Sequence, residues 1–513
     1  MPQNASQPAR QPRTMMTKLP NELRSMIVRL LSDKDDREAL AKAYPNFADL
    51  FKGESVRRRQ FLQEINVMIT LNVNEPGCCA AAHDTDHEED VFSDGIRDFL
   101  QALNDISKRL TEETSLPLTP MRLALLTCDD GVPDGAWCNG KHDEDEKAVQ
   151  IAKWYHEPMS LLLGNDDSPV VKGIDEFYFE NYKLLEFLEP SFIPLLLKRF
   201  VDLRMVHLVF DEQWRKDRER KDEWRDDVAY YVGRIPNTLP LEELRLELNR
   251  HSPRNEFIAP SRYRLRTSMG DHATTMLRNL SKFSSLTVLR LSGQFCIPVD
   301  FFDGLAGDGD PTTAAPPFPA LTTFELAIGP DTSCGRWFFV KDETEHAYDK
   351  AAEDPQWTSY VQHVEEGIFL SDPIPDWEPT SDDEGYYEYM AAKNDDYAFL
   401  NMEPVKRNRT LPNDETINPM LRAAARVMGK MPKIETFRLY LGDNFSQDPG
   451  KPFVPQFMTR KFRVKFVKHP KGKDDPVLIW TLGQKIDHWR PAEDVLEAWK
   501  EAAGGKLEIS YVE

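Results

Sequence analysis

A short pattern of apolar residues, apolar-x-x-apolar-x-apolar, recurs seven times along the 513-residue chain. The first copy is Leu118-Met121-Leu123 and the last is Ile434-Phe437-Leu439, and the others begin at Ile174, Leu203, Leu241, Leu286 and Leu321. Successive side chains of a β-strand point to opposite faces. The pattern therefore predicts seven strands whose apolar positions face a core and whose intervening residues line the other face.

This pattern resembles the strand core of a leucine-rich repeat. Helical segments precede several copies: Ala273 to Phe283 leads into Leu286, and Asn418 to Met431 leads into Ile434. The copies lie 29 to 113 residues apart, and the asparagine expected after the third apolar position occurs once, as Asn249. Without an asparagine ladder, the backbone groups of each turn need other partners. The sequence predicts either an irregular solenoid with large inserts or seven buried strands of another α/β sheet. Both alternatives give a mostly parallel sheet flanked by helices.

The C-terminal residues, from about 455 to 513, are predicted to cap this array, because the last repeat of a solenoid must cover its apolar end. Phe462 to Val467 and Val477 to Leu482 are typical of strands. Glu493 to Ala502 is helical and ends at Gly504-Gly505, and Leu507 to Val512 alternates as a last strand.

Segments rich in Asp, Glu, Gly and Pro interrupt the array, and the longest runs from about Asp331 to Asp414. We expect that segment to be a long, partly disordered insertion. The predicted organisation is a disordered tail at 1–16, short helices at 17–55, a helical linker with an acidic loop at 56–114, and the repeat-like region at 115–513.

A second pattern opens near the N-terminus with Leu19-Pro20-Asn21-Glu22-Leu23. Proline suits the first turn of a helix, and apolar residues follow at helical spacing as far as Leu31. Two further short helices are predicted, one around Leu40 and one after Pro45. Three helices of this size bury too little apolar surface to be stable alone, so we expect them to need a partner.

This order of residues resembles an F-box over roughly residues 17–55. The resemblance implies docking on the Skp-type adaptor of a Skp–cullin–F-box ubiquitin ligase, while the rest of the chain selects a client protein. The implied adaptor-binding residues are apolar: Leu19, Pro20, Leu23, Ile27, Leu31 and Leu40. The segment from Ile417 to Ile434 is also similar to one seen in fungal F-box proteins with leucine-rich-repeat-like domains.

Charge and hydropathy narrow the classes of partner and compartment. The net charge of −22 argues against a nucleic-acid or an anionic membrane surface as partner, because both are negatively charged. No apolar run is long enough to cross a bilayer. Six cysteines make no disulfide framework, and we find no secretory signal. We expect an intracellular protein of the cytoplasm, the nucleus or both.

The sequence contains none of the common catalytic motifs: no phosphate-binding loop, no H-E-x-x-H and no G-x-S-x-G. Two sets of residues have spacings that a metal could use, but neither has paired C-x-x-C knuckles. These sets are Cys78, Cys79, His83 and His87, and Cys128, Cys138 and His142. We expect both sets to be incidental, with no metal and no cofactor.

The sequence therefore predicts an α/β protein in which F-box-like helices precede an irregular leucine-rich-repeat-like solenoid. We expect a binding protein that is not an enzyme, and the sequence does not identify its client. One alternative is a ligase-independent interaction scaffold whose F-box is vestigial. Another is a hydrolase in a divergent α/β fold, which would require a deep polar pocket with converging titratable groups.

Overall fold

The structure is a computed structural model. It describes residues 64–69, 85–114, 120–127, 161, 163, 169–181, 188–211, 218–249, 271–306, 316–341, 409–441, 462–483, 486 and 488–512. Within these ranges the chain forms thirteen strands and seven helices.

The strands are β1 Glu64–Ile69, β2 Met121–Thr127, β3 Ile174–Asn181, β4 Met205–Asp211, β5 Glu243–Asn249, β6 Val288–Ile297, β7 Thr323–Thr332, β8 Phe339–Lys341, β9 Arg409–Pro412, β10 Thr436–Leu441, β11 Phe462–Val467, β12 Val477–Leu482 and β13 Glu508–Val512. The helices are α1 Thr85–Thr114, α2 Phe192–Leu197, α3 Arg218–Val232, α4 His272–Leu280, α5 Asp303–Ala306, α6 Asp414–Lys430 and α7 Glu493–Ala502.

Eleven of these strands form one sheet, and their order in space follows their order in the chain. Neighbours from β1 to β7, and then β7 and β10, run parallel. At the C-terminal end β11 and β12 run antiparallel to their predecessors, and β13 is parallel to β12. Strands β8 and β9 form a separate antiparallel pair. The predicted mostly parallel sheet with helices is confirmed.

All seven copies of the apolar pattern contribute residues to strands of this sheet. In six copies the second apolar residues lie in register, from Phe177 through Val206 to Phe437. The first copy is displaced by two residues from the register that the pattern predicts. Its third apolar residue, Leu123, pairs with Phe177, which is the second apolar residue of the next copy. A slip of two residues leaves every side chain on its original face, so the apolar pattern alone cannot detect it.

The predicted helical linker at 56–114 contains a strand as well as helix α1. Strand β1 extends the sheet at its edge, with Ile65 opposite Leu123 and Val67 opposite Leu125. The segment from Leu62 to Val67 is a further copy of the apolar pattern that our sequence analysis missed.

The ends of the predicted insertion at 331–414 belong to the ordered fold. Strand β7 continues to Thr332, and β8 pairs with β9 across the segment that connects them. The side chain of Asn413 caps helix α6 by accepting from the backbone N–H of Glu415, and its amide donates to the carbonyl of Trp337. The residues from 342 to 408 lie outside the described ranges.

One face of the sheet is buried against helices. The second and third apolar positions of each strand, such as Phe179, Leu208 and Leu246, are fully buried in one contiguous core. The rings of Phe324 and Phe437 stack in this core, with centroids 4.9 Å apart. One face of the sheet is therefore covered by helices, and the residues that alternate with the buried apolar positions lie on the opposite face.

Backbone hydrogen bonds link the entry points of successive strands. The N–H of Glu242 donates to the carbonyl of Arg204, that of Thr287 to Glu242 and that of Thr322 to Thr287, over 2.7–2.8 Å. Hydroxyl groups reinforce this line: Thr287 Oγ1 donates to the carbonyl of Glu242, and Thr322 Oγ1 to that of Thr287. These contacts satisfy turn groups at the strand entries in a chain that lacks an asparagine ladder.

Candidate interaction face of the sheet

The six adaptor-binding residues implied by the F-box resemblance lie outside the described ranges: Leu19, Pro20, Leu23, Ile27, Leu31 and Leu40. The cysteines and histidines with metal-like spacings also lie there, except that His87 belongs to helix α1 and its side chain is not described. The candidate site must therefore be built from the sheet. Its residues are those that alternate with the buried apolar positions.

Seven strands contribute one residue each to a row across the middle of this face, which we call the central row. Its members lie in register from β3 to β11: Tyr178, His207, Arg245, Arg290, Glu325, Arg438 and Lys465. Neighbouring strands are about 4.8 Å apart, so these side chains are direct neighbours. Most of them are half-buried or exposed, whereas the residues on either side of each are buried. The row therefore lies on the face of the sheet opposite the buried apolar layer.

Strands β3 to β5 form what we call the acidic half, defined by Glu176, Glu180, Glu243, Glu247 and Arg245. Four carboxylates here accompany one guanidinium among the side chains that the structure describes. The guanidinium is engaged, because Arg245 Nε lies 2.6 Å from Glu243 Oε1 and donates to it. Negative charge therefore predominates over these three strands.

His207 lies inside the acidic half and is held in its neutral form. Burial, with smaller contributions from Arg245 and Arg122, lowers the pKa of His207 from the usual 6.5 to about 4. Its ring meets that of Tyr178 edge to face, with centroids 4.9 Å apart. The hydroxyl of Tyr178 in turn donates to Glu180. The histidine therefore acts as a packed, uncharged member of the row at neutral pH.

Strands β6, β7, β10 and β11 form what we call the basic half, defined by Arg290, Glu325, Arg438, Arg463 and Lys465. Four cations here share one carboxylate. Arg438 Nη1 donates to Glu325 Oε1 over 2.6 Å, whereas Arg290 Nε lies 3.8 Å from Glu325 Oε2. Glu325 is the most buried of the five, with 9% of its surface exposed. A single buried carboxylate therefore bridges two arginines. The other two cations have no carboxylate partner among the described residues of the basic half.

The remaining cations of the basic half lie on β11. The guanidinium of Arg463 stacks over the ring of Tyr440, 4.5 Å from its centroid. Burial lowers the pKa of Lys465, and the neighbouring charges of Arg438 and Arg463 lower it further. Glu325 acts in the opposite direction but does not cancel them. The local potential is therefore positive at this side chain.

Strand β6, which is the strand of the basic half next to the acidic half, contains a β-bulge. The pairing of β6 with β7 shifts between Leu291 and Phe295. Gly293 lies in this bulge with φ +91°, and a Cβ on it would lie 2.1 Å from the carbonyl oxygen of Leu248. Only glycine fits there, because the backbone conformation is left-handed and the neighbouring strand leaves no space.

The polar groups between α3, α4, β5 and β6 serve the fold. A small cavity there is lined in part by Asp271, Cys296 and Ser333. Asp271 caps α4 by accepting from the backbone N–H of Thr274, and burial raises the pKa of its carboxyl. These groups are engaged in capping and in linking strands, so the cavity gives no support to a hydrolase.

Sequence reasoning missed the central row, although the signal for most of it was present. Six of the apolar copies carry a residue of the row between their second and third apolar positions, from Tyr178 to Arg438. Reading those positions down the copies would have assembled all of the row except Lys465. That lysine lies on an antiparallel strand of the predicted cap, outside the repeated pattern.

The chain matches no protein-family model, no curated protein and no solved structure. In the part that the structure describes, no group of three or more His, Cys, Asp or Glu side chains is arranged to hold a metal ion. No helix in that same part combines the length and apolar character needed to cross a bilayer. The function must therefore be argued from the sheet face and the N-terminal motif.

Proposed function

We propose that this chain is the substrate-recognition subunit of a Skp–cullin–F-box ubiquitin ligase. In this proposal residues 17–55 dock on the Skp-type adaptor through the apolar side chains of the Leu-Pro-x-Glu-Leu segment. The region from about residue 115 onwards is a leucine-rich-repeat-like solenoid, and it holds the client protein on the polar face of its sheet.

The observation that carries the proposal is the order of the strands. Eight parallel strands follow one another in space as they do in the chain, which is how a sheet grows in a stack of repeats. Such a sheet offers one long continuous face, and here that face carries a polar row in register over seven strands, with charged residues on five of them. A receptor for a protein segment requires a surface of this kind, whereas a small-molecule enzyme requires a closed pocket.

The chain contributes proximity in this mechanism and no covalent chemistry of its own. A client held on the sheet has a high effective concentration near the ubiquitin-loaded enzyme at the other end of the complex. The N-terminal motif and the sheet are therefore separate contacts, one for the adaptor and one for the client. The complex would work in the cytoplasm, the nucleus or both.

Adaptor binding by the purified full-length chain tests the proposal. A pull-down with the Skp adaptor should retain the wild-type protein and lose a Leu19→Ala/Pro20→Ala variant. The chain offers a matched control in Leu116→Ala/Pro117→Ala, because the same dipeptide occurs there without the following x-Glu-Leu. The control variant should bind as well as the wild type.

Absence of adaptor binding by the wild-type chain would contradict the ligase assignment. Equal loss in the two double variants would do the same, because it would reflect damage unrelated to the motif. Either result would favour the ligase-independent scaffold, in which the sheet face still binds a partner but the N-terminal helices serve another purpose.

A further inference from the structure

The charge on the basic half is opposite to that of the chain as a whole. The protein carries a net charge of −22, yet four cations and one carboxylate occupy the outward positions of four adjacent strands. Charges separated by more than about 8 Å are largely screened at physiological ionic strength. A ligand that approaches the face therefore responds mainly to the basic half itself.

The cations of the basic half retain capacity for an added anion. Arg290 contacts Glu325 and Glu243 at 3.8 and 3.9 Å, both beyond hydrogen-bond distance. About a third of the side-chain surface of Arg290 and of Arg438 is accessible, 38% and 33% respectively. Within the described residues no salt bridge involves Lys465, and two nearby arginines, Arg438 on the neighbouring strand and Arg463 on its own strand, act on it by repulsion. Anionic groups of a ligand would relieve this repulsion.

The dimensions of the basic half fit a short extended peptide. Its central-row members lie on four adjacent strands, and three spacings of about 4.8 Å make the row about 14 Å long. An extended chain rises about 3.3 Å per residue, so about five residues cover that length. Alternate side chains of such a peptide point the same way and can meet successive cations.

We propose that the basic half binds an acidic segment of the client protein, a tract of about five residues with clustered Asp and Glu side chains. The identification of this ligand as part of a client rests on the function proposed above. Carboxylates on alternate residues would meet the guanidinium groups of Arg290 and Arg438 and the ammonium of Lys465.

The arrangement favours separate carboxylates over one phosphate. A phosphate group is best held by donors that converge on one point, whereas these cations are spread along a row and divided by Glu325. It also disfavours a nucleic acid, whose evenly spaced charges would continue from the basic half onto the carboxylates of the acidic half.

The binding experiment uses the full-length chain and a fluorescein-labelled peptide with about five alternating Asp and Glu residues, at low and at physiological salt. We expect saturable anisotropy with the acidic peptide, and no saturation with the peptide in which Asn and Gln replace the acids. The Arg290→Gln/Arg438→Gln variant should weaken binding by about tenfold or more. The matched variant Arg245→Gln, in the acidic half, should change it by less than about twofold.

Lys465→Gln distinguishes a loss of binding from a loss of folding, because it removes a charge that the folded state already disfavours. This variant should retain the wild-type melting temperature and still bind the acidic peptide more weakly than the wild type does. Equal binding of the acidic and the amide peptides, or equal losses in Arg245→Gln and the double variant, would overturn the proposal. So would tighter binding of a single-phosphoserine peptide of equal charge, or of a single-stranded oligonucleotide.

This experiment contains no adaptor, so it separates the two proposals. If the chain binds the acidic peptide but not the adaptor, the proposed ligand of the basic half stands and the proposed ligase function is rejected. Adaptor binding without acidic peptide binding would retain the ligase and exclude this ligand from the basic half.

Discussion

The acidic and basic halves of the sheet face share one backbone architecture and one buried layer, yet they differ in the sign of their charge and in how their charged side chains are paired. In the acidic half Arg245 is neutralised by Glu243, and His207 remains uncharged. In the basic half Glu325 is shared by two arginines, and burial, with smaller contributions from Arg438 and Arg463, lowers the pKa of Lys465. The two halves thus carry opposite excesses: four carboxylates accompany one guanidinium in the acidic half, whereas the basic half has four cations and a deficit of carboxylates. A deficit of this kind identifies the surface where an external charge gains most.

The largest expected effect concerns the buried layer that the two halves share. Phe437 lies under the basic half, stacked on Phe324 and 5.7 Å from the ring of Trp499. Phe437→Ala should lower the free energy of unfolding by about 3–5 kcal/mol because it leaves a cavity, and Phe437→Leu by about 1 kcal/mol. Denaturant unfolding measures both changes.

Hydrogen exchange in Phe437→Ala then shows whether the halves depend on each other. We expect protection to fall in β4 as well as in β10, because the core is contiguous. Faster exchange limited to β10, with β4 unchanged, would mean that the halves are separately stable units.

The second prediction concerns the bulge beside the boundary of the halves. Gly293→Ala should destabilise the protein by about 2–4 kcal/mol, because its Cβ would overlap the carbonyl of Leu248 and its φ is positive. Gly505→Ala is the control: its φ is +89° but a Cβ would meet nothing within 4 Å, so about 1 kcal/mol is expected. Thermal unfolding of both variants checks the difference. Equal losses would mean that backbone conformation alone, without the clash, requires glycine at 293.

The third prediction changes the charge balance of the basic half. Glu325→Gln should cost about 1–3 kcal/mol of stability, because it leaves Arg290 and Arg438 without their shared carboxylate. The same change should strengthen binding of the acidic peptide severalfold, since the internal competitor is gone. Unfolding and anisotropy measure the two effects. Glu180→Gln, on the acidic half, should leave peptide binding unchanged, and a similar gain there would mean that the two halves act as one surface.

The smallest effect concerns the titration of His207. Its pKa of about 4 predicts that the ring stays neutral until well below pH 6.5, whereas the unfolded chain takes up a proton near 6.5. Its contribution to stability is therefore present above pH 6.5 and is lost as the pH falls from 6.5 towards 4. His207→Gln should reduce the loss of stability over that range.

NMR titration of the His207 ring measures the pKa directly, and Arg245→Gln should raise it in part, because burial is the larger cause. A wild-type midpoint close to 6.5 would contradict the buried, neutral histidine and would make the acidic half sensitive to mild acid.

The elements of the C-terminal cap show how far the sequence could be followed. Phe462–Val467, Val477–Leu482 and Glu493–Ala502 have the predicted bounds, since their alternation and helical spacing are strong and turn residues flank them. Strand β1 was missed because its copy of the pattern lies within the segment that the sequence analysis assigned to a helical linker. The site was missed because charged residues at exposed strand positions look like ordinary surface when each strand is read separately.

The sequence by itself determined which apolar residues of each strand face the core, because the period of two is a local property of the extended chain. Leu289 and Leu291 face the core and Arg290 faces away, whatever strand lies beside them. The repeated pattern puts Arg245, Arg290 and Glu325 at equivalent positions, but only the tertiary structure decided that their strands are neighbours, since pairing joins residues that are 45 and 35 positions apart. Register, strand order and hence the charge of the face depend on contacts across inserts of irregular length, and no local pattern encodes those contacts.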